Sequence, residues 1–445
     1  MALTGIQIFK LLPKTNCGEC KYPTCLAFAM ALASSKAEID ACPYITDEGR
    51  LQLSEASAPP IRQVSIGSSD YEIKIGGETV LFRHEKTFLN QPGFAILISD
   101  TMDDAEIESR FEKVNFCQYD RIGTTLRPEL VALKATGNDE RFINLVKKAI
   151  EKPYGIVLIC PIISLMKKAV EICKARKPLI YAATTENVQE LGFLAKAFNC
   201  PLAVKGNGIE EVMHLTEQLT AMGLKDLVLD TSSRGVRESF QDQIIIRRAA
   251  LVGKNKQLGF PTITFPCEMT DSLMKETLIA SCFVAKYAGI IVLSDFKGES
   301  IFPLLLQRLN IYTDPQRPMT TEQGIYPINN PGSASPVLIT CNFSLTYFIV
   351  SGEIENSRIP SWLCVMDTEG LSVLTAWAAG KFLGDSVGSF IKKCGIIEKI
   401  EHRKLIIPGY AASILGEVEE ELPGWEIQVG PREAVHIPAY LKMWK

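Results

Sequence analysis

The stretch that decides the fold is GIVLICPIISLMKKAVEICKARKPLIYAATTENVQELGFLAKAFNCPLAVKG, residues 155–206. Three short apolar runs, 155–160, 178–183 and 201–206, alternate in it with two amphipathic segments of helix length, 163–175 and 187–198. Strands of a parallel sheet that are buried on both faces read as continuous apolar runs. The stretch therefore predicts successive strand–helix units whose strands are parallel.

The same alternation continues on both sides of this stretch. Further apolar runs lie at 94–100, 114–120, 226–231, 261–266 and 289–295, and further helices are predicted at 141–151, 209–222 and 239–251. Eight such units predict an α/β protein with a central (β/α)8 TIM barrel. An open, doubly wound sheet is the alternative.

Charged residues follow several of these strands, where a barrel places its chemistry. They are Asp100, Asp120, Lys205, Asp230 and Asp295. These residues could be acid–base groups, or they could cap helices and form ion pairs. Because no glycine-rich phosphate loop and no Asp/His/Glu metal motif accompanies them, we favour the structural interpretation and predict no catalytic side chain.

Four of the thirteen cysteines lie close together near the N-terminus, at Cys17, Cys20, Cys25 and Cys42. Three ligands in a group and a distant fourth are typical of a cubane iron–sulfur cluster. Zinc is the alternative, although zinc sites usually show paired Cys-x2-Cys motifs or histidine, and no histidine precedes His84. Helices are predicted at 6–12 and 26–33, on either side of the loop that carries the first three of these cysteines. The other nine cysteines stand singly and are predicted to be small buried side chains.

Two polar segments, 52–63 and 326–336, are rich in Pro, Ser, Asn or Gly and predict linkers. They divide the chain into a cluster domain (1–57), a barrel domain (58–325) and a C-terminal domain (326–445). Directly after the first linker, alternation on both sides of Gly76 and Gly77 predicts a β-hairpin that turns at these glycines.

Composition excludes several classes of protein. The chain has 445 residues, of which 47% are hydrophobic and 22% charged, and its net charge is −4. It is neither disordered nor basic enough to favour nucleic acid or anionic membranes. No apolar run reaches the roughly 18 residues that a membrane span needs, and no signal-peptide pattern opens the sequence. We therefore expect a cytoplasmic protein.

The C-terminal part predicts a doubly wound α/β domain, with strands at 337–343, 362–367, 404–410 and 425–430. Ligands bind such sheets at the carboxyl ends of the strands. Those ends lie at 340–346, 370–375, 409–411 and 430–434, and most of their residues are small or uncharged. Since no G-x-G-x-x-G fingerprint follows a strand here, a nucleotide is not favoured. The residues predict a neutral cleft, and a purely structural sheet is the alternative.

Two segments carry a resemblance to a known family: GIQIFKLLPKTNCGECKYPTCLAFAMALA (5–33) with Cys42-Pro43, and TEGLSVLTAWAAGKF (368–382). Over its whole length the chain resembles the large subunits of corrinoid iron–sulfur proteins, which include the gamma subunits of acetyl-CoA decarbonylase/synthase complexes. The resemblance implies an N-terminal [4Fe–4S] domain held by the four clustered cysteines. It also implies a central TIM barrel and a C-terminal domain that binds cobalamin.

The resemblance, together with the strand-end pattern, assigns corrinoid contacts to Thr340, Thr346, Gly370, Leu371, Ser372, Val373, Thr375, Gly430, Glu433 and Ala434. Many cobalamin proteins supply a lower histidine ligand from an Asp-x-His-x-x-Gly motif. The four histidines here are His84, His214, His402 and His436, and none of them lies in such a motif. We therefore expect a corrinoid without a protein histidine as its lower ligand, and a structural role for His436.

The function implied by the resemblance is that of a methyl carrier in the reductive acetyl-CoA (Wood–Ljungdahl) pathway. A cob(I)amide would accept a methyl group from methyltetrahydrofolate through a methyltransferase and donate it to acetyl-CoA synthase. The cluster would reduce inactive Co(II) back to Co(I). A small subunit would complete a heterodimer, and no nucleic acid or membrane is an expected partner. Two alternatives are an electron-transfer subunit without its own corrinoid, and an enzyme whose barrel binds a folate itself.

Overall fold

The computed structural model describes residues 5–33, 37, 39–46, 49–50, 53, 59–121, 124–313 and 319–444. The chain forms two compact units. The first consists of Met1–Cys117 and Arg127–Tyr312, and the second of Gln118–Leu126 and Thr313–Lys445. Among the described residues, no helix combines the length and the apolar character that crossing a membrane requires.

The strands are β1 (Val64–Ile66), β2 (Ile73–Ile75), β3 (Gly93–Ser99), β4 (Tyr119–Arg121), β5 (Thr124–Leu126), β6 (Leu130–Lys134), β7 (Gly155–Ile159), β8 (Leu179–Ala183), β9 (Leu202–Lys205), β10 (Leu227–Asp230), β11 (Ile263–Thr264), β12 (Ile290–Leu293), β13 (Gly324–Ile328), β14 (Val337–Cys341), β15 (Ser361–Met366), β16 (Lys404–Ile407) and β17 (Glu426–Val429).

The α-helices are α1 (Gly5–Leu11), α2 (Cys25–Ala33), α3 (Asp104–Phe116), α4 (Asp139–Ile150), α5 (Ile163–Cys173), α6 (Val188–Phe198), α7 (Ile209–Ala221), α8 (Val236–Leu251), α9 (Leu273–Ala285), α10 (Gly298–Tyr312), α11 (Ser344–Ser357), α12 (Val373–Ala378), α13 (Gly384–Lys393), α14 (Leu415–Glu421) and α15 (Ile437–Met443).

The first unit is built on eight parallel strands in the order β10-β9-β8-β7-β6-β3-β12-β11. A parallel bridge between Leu229 and Thr262 links the two outer strands, so the sheet is nearly closed. The strands are buried along almost their whole length because helices cover the outer face and side chains fill the interior. The predicted barrel is confirmed, and the open-sheet alternative is wrong for this part of the chain.

Two barrel elements differ from the prediction. The run at 114–120 is not a barrel strand, because its first residues end helix α3. Ile107, Phe111 and Val114 are buried on one face of that helix at the spacing i, i+4, i+7. The apolar residues at the end of this amphipathic helix therefore resemble a short strand in the sequence. The strand that the sequence analysis missed is β6, which pairs with β3 and β7.

A hairpin of β1 and β2 contributes to the barrel core, but its turn is not where it was predicted. Val64 pairs with Ile75, so the chain reverses within 67–72 and not at Gly76-Gly77. Gly76 has a positive φ of 75°, and a Cβ atom there would lie 2.2 Å from the carbonyl oxygen of Arg62. The glycine is needed for this close approach. The fully buried side chains of the hairpin pack with residues that point into the barrel.

The second unit has a five-stranded sheet in the order β13-β15-β14-β16-β17, in which only the pairing of β13 is antiparallel. One buried cluster joins the sheet to side chains of α12, α13 and α14, and another joins it to α11 and α15. Helices therefore cover both faces, which is the doubly wound arrangement that the sequence predicts. The strand order reverses at β14 and β16, and ligands bind at such switch points.

The linker predicted at 326–336 is wrong for its first three residues, because 326–328 belong to β13 and pair with β15, whereas 329–336 lie outside helices and strands. The division between the two units falls instead at Tyr312/Thr313. The short hairpin of β4 and β5 also belongs to the second unit, where the Arg121 guanidinium lies 4.8 Å from the centre of the Phe348 ring. The other predicted linker, 52–63, lies mostly outside the described residues.

Candidate functional sites

A cleft of about 980 Å³ opens in the second unit at the carboxyl ends of β14 and β16. This is the switch point of the sheet, where a doubly wound fold leaves space between helices that lie on opposite faces. The residues that line the cleft are Leu338, Ile339, Thr340, Thr346, Ile349, Val350, Ser372, Val373, Leu374, Ile406, Ile407, Pro408, Tyr410, Gly430, Pro431, Arg432, Glu433, Ala434 and Ile437.

Seven of the ten residues predicted as corrinoid contacts line this cleft: Thr340, Thr346, Ser372, Val373, Gly430, Glu433 and Ala434. The other three lie beside it. The N–H of Gly370 donates to Oδ1 of Asn342, and Leu371 packs against the buried core. The hydroxyl of Thr375 lies 2.9 Å from that of Ser372. The structure thus assembles most of the predicted set from three separate segments, 340–346, 370–375 and 430–434.

The sequence analysis missed much of the apolar lining. Ile349 and Val350 follow Thr346 by three and four positions on α11, so helical spacing could have found them. Pro408 directly follows β16, and Tyr410 lies within the predicted strand end 409–411 but was not named as a contact. Arg432 lies between two predicted positions, but no residue pattern indicates that it lines the cleft.

The cleft carries little charge. Its charged lining residues are Arg432 and Glu433, and both are exposed. The Tyr410 hydroxyl donates a short hydrogen bond to Oε1 of Glu433, and this bond raises the pKa of Tyr410 above its ordinary value. Among the described residues that line the cleft none is a histidine, and His436 is exposed beside it. Such a lining fits a large ligand that is held by shape and by neutral hydrogen bonds.

Tight backbone packing fixes one rim of the cleft. The N–H of Gly430 donates to the carbonyl of Ile407 at 2.9 Å, and the N–H of Gly409 donates to the carbonyl of Pro431 at 3.2 Å. A Cβ atom on Gly409 would lie 2.6 Å from the nitrogen of Arg432. Only glycine allows the segment after β16 to lie this close to the segment after β17.

The four N-terminal cysteines are only partly gathered. Cys20, Cys25 and Cys42 are buried in one small cluster with Ile8 and Phe28, whereas Cys17 is exposed. The N–H of Asn16 donates to Sγ of Cys25 at 3.4 Å, and Oδ1 of Asn16 accepts from the N–H of Cys25 at 2.8 Å. These two hydrogen bonds join Cys25 to the loop that precedes helix α2.

These thiols fit an iron–sulfur cluster in donor chemistry. An all-thiol set with a hydrogen-bonded sulfur suits such a cluster, and Cys25 begins helix α2. Within the part of the chain that the structure describes, no three His, Cys, Asp or Glu side chains lie close enough together to hold a metal ion. A ligated state therefore requires Cys17 and the three buried thiols to move closer together.

The mouth of the barrel is filled by its own side chains. The Tyr181 hydroxyl donates to Asp230, and the Arg234 guanidinium bonds to both Asp230 and Glu268. Burial and the Asp230 carboxylate raise the pKa of Tyr181 far above its ordinary value. The Lys205 ammonium lies 5.9 Å from the centre of the Tyr181 ring. Two of the predicted strand-end residues, Asp230 and Lys205, therefore have protein partners that explain their positions without a ligand.

The other strand-end residues also have protein partners. Asp100 accepts hydrogen bonds from Thr136 and from the N–H of Asn138. Although burial opposes it, this bonding lowers the pKa of Asp100. Asp295 pairs with Lys113 at 2.7 Å. Asp120 lies on β4 and accepts from Thr125, so it does not end a barrel strand. The favoured structural interpretation agrees with these contacts.

Most isolated cysteines are buried, as predicted. Six of the nine are buried, Cys267 and Cys394 are half-buried, and Cys282 is exposed. Burial raises the pKa of Cys173 to about 12 and that of Cys200 to about 11. These two side chains therefore stay protonated and act as small apolar groups.

The fold and the sites define a class: an α/β-barrel protein with a cysteine-rich N-terminal segment and a doubly wound unit that carries a neutral ligand cleft. A family model described as the CO dehydrogenase/acetyl-CoA synthase delta subunit matches residues 63–441. A second model, named for an Fe-S cluster, matches residues 12–44 and so covers all four clustered cysteines.

Full-length relatives make the assignment specific. The chain is 41% identical over 444 residues to the corrinoid/iron-sulfur protein large subunit of Moorella thermoacetica, with 99% of each chain covered. It is 35% identical to the acetyl-CoA decarbonylase/synthase complex subunit gamma of Methanopyrus kandleri, covering 99% of this chain and 97% of that one. The gamma subunit of Archaeoglobus fulgidus is also 35% identical, with 99% and 98% covered. The chain belongs to this family of corrinoid/iron–sulfur large subunits and gamma subunits, which confirms the resemblance.

Proposed function

We propose that this chain is the methyl carrier of the acetyl-CoA pathway, with a corrinoid (cobalamin) in the cleft and a [4Fe–4S] cluster on Cys17, Cys20, Cys25 and Cys42. One observation carries the proposal: seven predicted corrinoid contacts from three segments line one cleft at the switch point of the sheet. The names of the full-length relatives support both cofactors.

The chemistry that the corrinoid supplies is methyl transfer, from methyltetrahydrofolate through a separate methyltransferase to acetyl-CoA synthase. The residues of this chain bind and shield it. The hydroxyls of Thr340, Thr346 and Ser372 offer neutral hydrogen bonds to the amide groups at its edge. Ile349 and Val350 exclude water from one side. None of the described lining residues is a histidine, and we keep the expectation that no protein histidine would be the lower ligand of the corrinoid.

The cysteine cluster has a separate role in this proposal. An iron–sulfur centre there would supply single electrons that restore the reduced corrinoid after accidental oxidation. The thiols of Cys20, Cys25 and Cys42 would keep most of the centre away from water, since they are buried. The exposed Cys17 would lie on the side from which electrons enter.

Partners and organisation follow from the same proposal. Ile349, Leu374 and Tyr410 line the cleft and are nevertheless 48%, 45% and 43% exposed, an apolar rim that a partner could cover. We assign this rim to the small subunit of a heterodimer.

We keep three functional domains and a cytoplasmic location, with no nucleic acid or membrane as partner. We propose that the boundary between the barrel and the corrinoid domain lies near the Tyr312/Thr313 division of the two units.

Metal analysis tests the proposal. Protein purified without oxygen, together with its small subunit, should contain about one cobalt and four irons per chain. After reduction it should be alkylated by iodomethane. Iron without cobalt would instead support the electron-transfer subunit, and tight binding of methyltetrahydrofolate without partners would support a folate site in the barrel.

A paired substitution on α11 locates the cobalt. Thr346→Trp places an indole in the cleft, and we expect it to lower the cobalt content at least about tenfold while iron stays unchanged. Glu355→Trp adds the same group to the same helix at an exposed position that does not line the cleft. This control should keep the wild-type cobalt content. Equal cobalt in both variants would contradict the placement of the corrinoid.

A further inference from the structure

Asn342 lies one residue beyond the end of β14 and is only 4% exposed, yet it does not line the cleft. Its Oδ1 accepts hydrogen bonds from the N–H groups of Thr368 and Gly370, each at 3.0 Å. Its Nδ2 donates to Oδ1 of Asp367 at 2.8 Å. One amide side chain therefore holds three residues of the turn that follows β15.

The turn depends on these bonds because its backbone is strained. Glu369 and Gly370 have φ values of 56° and 76°, a left-handed region that is unfavourable for a residue such as Glu369. Asp367 adds one bond by accepting from the N–H of Glu369 at 2.8 Å. The Thr368 hydroxyl adds another, with Oδ1 of Asn342 at 3.0 Å and the carbonyl of Leu371 at 2.8 Å as its acceptors.

The turn leads directly into the wall of the cleft. Ser372 and Val373 come next in the chain and line the cleft, and Ser372 is the N-cap residue of α12. Thr340, two residues before Asn342, lines the cleft from β14. Asn342 therefore connects two walls of the same cleft through hydrogen bonds.

We propose that Asn342 is a positioning residue for the ligand of the cleft. It sets Ser372 and Val373 relative to Thr340 without contacting the ligand itself. The proposal rests on the function proposed for the cleft, with a corrinoid as the ligand. It adds a positioning role for a residue that does not itself line the cavity.

An amide is the group that this position needs. Alanine would leave the buried N–H groups of Thr368 and Gly370 without acceptors, which is costly. Aspartate would keep the acceptor oxygen but replace the donor, and it would place a second carboxylate against Asp367. The double exchange Asn342→Asp with Asp367→Asn removes that repulsion. It can restore only part of the bonding, because Oδ1 of Asp367 also accepts from Glu369.

The experiment compares N342A, N342D, the N342D/D367N double variant and S361A with the wild type. Ser361 is fully buried at the other end of β15, where its hydroxyl donates to the carbonyl of Ile359 at 3.0 Å, so S361A is a matched loss of one buried hydrogen bond. Three quantities are measured: hydrogen exchange of the 368 and 370 amides without corrinoid, affinity for added hydroxocobalamin with its visible spectrum, and the unfolding midpoint.

We expect both single Asn342 variants to exchange the 368 and 370 amides at least about tenfold faster and to bind hydroxocobalamin about tenfold more weakly. The double variant should recover part of both losses, and S361A should keep wild-type exchange and affinity at a lowered unfolding midpoint. The proposal fails if the variants loosen the turn and leave affinity and spectrum unchanged, or if S361A weakens binding equally. If the wild type itself binds no corrinoid, the proposed function fails, while exchange at 368 and 370 still reports whether Asn342 holds the turn.

Discussion

At the scale of single residues, the first unit contains a buried ion pair between Glu78 and Arg247, 5% and 3% exposed. The Arg247 guanidinium donates to Glu78 at 3.2 Å and to the carbonyl of Val80 at 2.7 Å. Burial raises the pKa of Glu78, although Arg247 and the N–H of Leu89 oppose the rise. The free-energy cost of removing the carboxylate from water is thus larger than the stabilisation that its hydrogen-bond and ion-pair partners provide.

This pair predicts a pH dependence of stability. Glu78 ionises at a lower pH in the unfolded chain than in the native protein, so its contribution to stability is complete at low pH and is lost as the pH rises through the raised pKa. We expect Glu78→Gln to gain stability relative to the wild type as the pH rises above the ordinary pKa range of a glutamate, measured by urea unfolding.

The control is Glu112→Gln, which changes an exposed glutamate of the same unit. Its stability should run parallel to that of the wild type over the same range. If the stability of E78Q also changes with pH in parallel with that of the wild type, burial does not control the ionisation of Glu78.

The cysteine cluster gives a second residue-scale prediction. Cys20→Ala removes one proposed ligand, and we expect iron to fall at least about tenfold. Reactivation by a reductant that acts through the cluster should be abolished, whereas iodomethane should still alkylate the chemically reduced protein. Cys200→Ala, at an isolated buried cysteine, should keep both iron and reactivation. Normal reactivation of C20A would refute the role of the cluster.

At the scale of elements, the segments after β16 and β17 meet at Gly409. We expect Gly409→Ala to cost about 1–3 kcal/mol of unfolding free energy, because the added methyl group has no space. Cobalt content should fall as well, since the displaced segments form one rim of the cleft. Denaturant unfolding and metal analysis measure the two effects.

Gly416 provides the matched control for this substitution. It lies on α14, and an added Cβ atom would meet nothing within 4 Å. Gly416→Ala should therefore leave cobalt unchanged and stabilise the helix by up to about 1 kcal/mol. A loss of cobalt in G416A comparable to that in G409A would show that the close approach at Gly409 is not what shapes the cleft.

Sequence alone could predict the elements whose burial leaves a strong pattern. The run at 155–160 has apolar residues on both faces and was recognised as a strand for that reason. β6 was missed, and the run at 114–120 was misassigned, because the buried face of α3 ends in a short apolar sequence. Gly76 is a glycine because its backbone lies close to Arg62, and not because the hairpin turns there. The local sequence does not distinguish these two reasons for a glycine.

The cleft was partly predictable for a related reason. Strand order places Thr340 and Gly430 at one edge of the sheet, so they could be found from the strands alone. The position of Gly370 could not, because its amide is taken up by Asn342, a bond that only the folded turn reveals. That the lining residues contact a corrinoid stays a prediction, and so does ligation by the four cysteines.

At the scale of the whole molecule, the two units should respond differently to a ligand. A ligand stabilises the state that binds it by RT ln(1 + [L]/Kd), about 2.7 kcal/mol at a hundredfold excess over Kd. We expect hydroxocobalamin to slow hydrogen exchange in 319–444 and in the hairpin of β4 and β5, which belongs to the same unit. Barrel segments such as 155–206 should exchange as before.

The cofactor-free and loaded proteins, compared segment by segment, decide this prediction. Equal slowing in the barrel would mean that the two units act as one cooperative body. T346W serves as the control, because its blocked cleft should leave every segment unchanged when hydroxocobalamin is added.

Because the cleft carries little charge, the salt concentration should have little effect on how tightly it holds its ligand. A ligand held by surface ion pairs loosens as salt rises, because dissolved ions screen the attraction. The lining here has Arg432 and Glu433 as its charged members, and their opposite signs leave no net charge on the lining. If the proposed corrinoid occupies the cleft, it should therefore stay bound equally well in dilute and in concentrated salt.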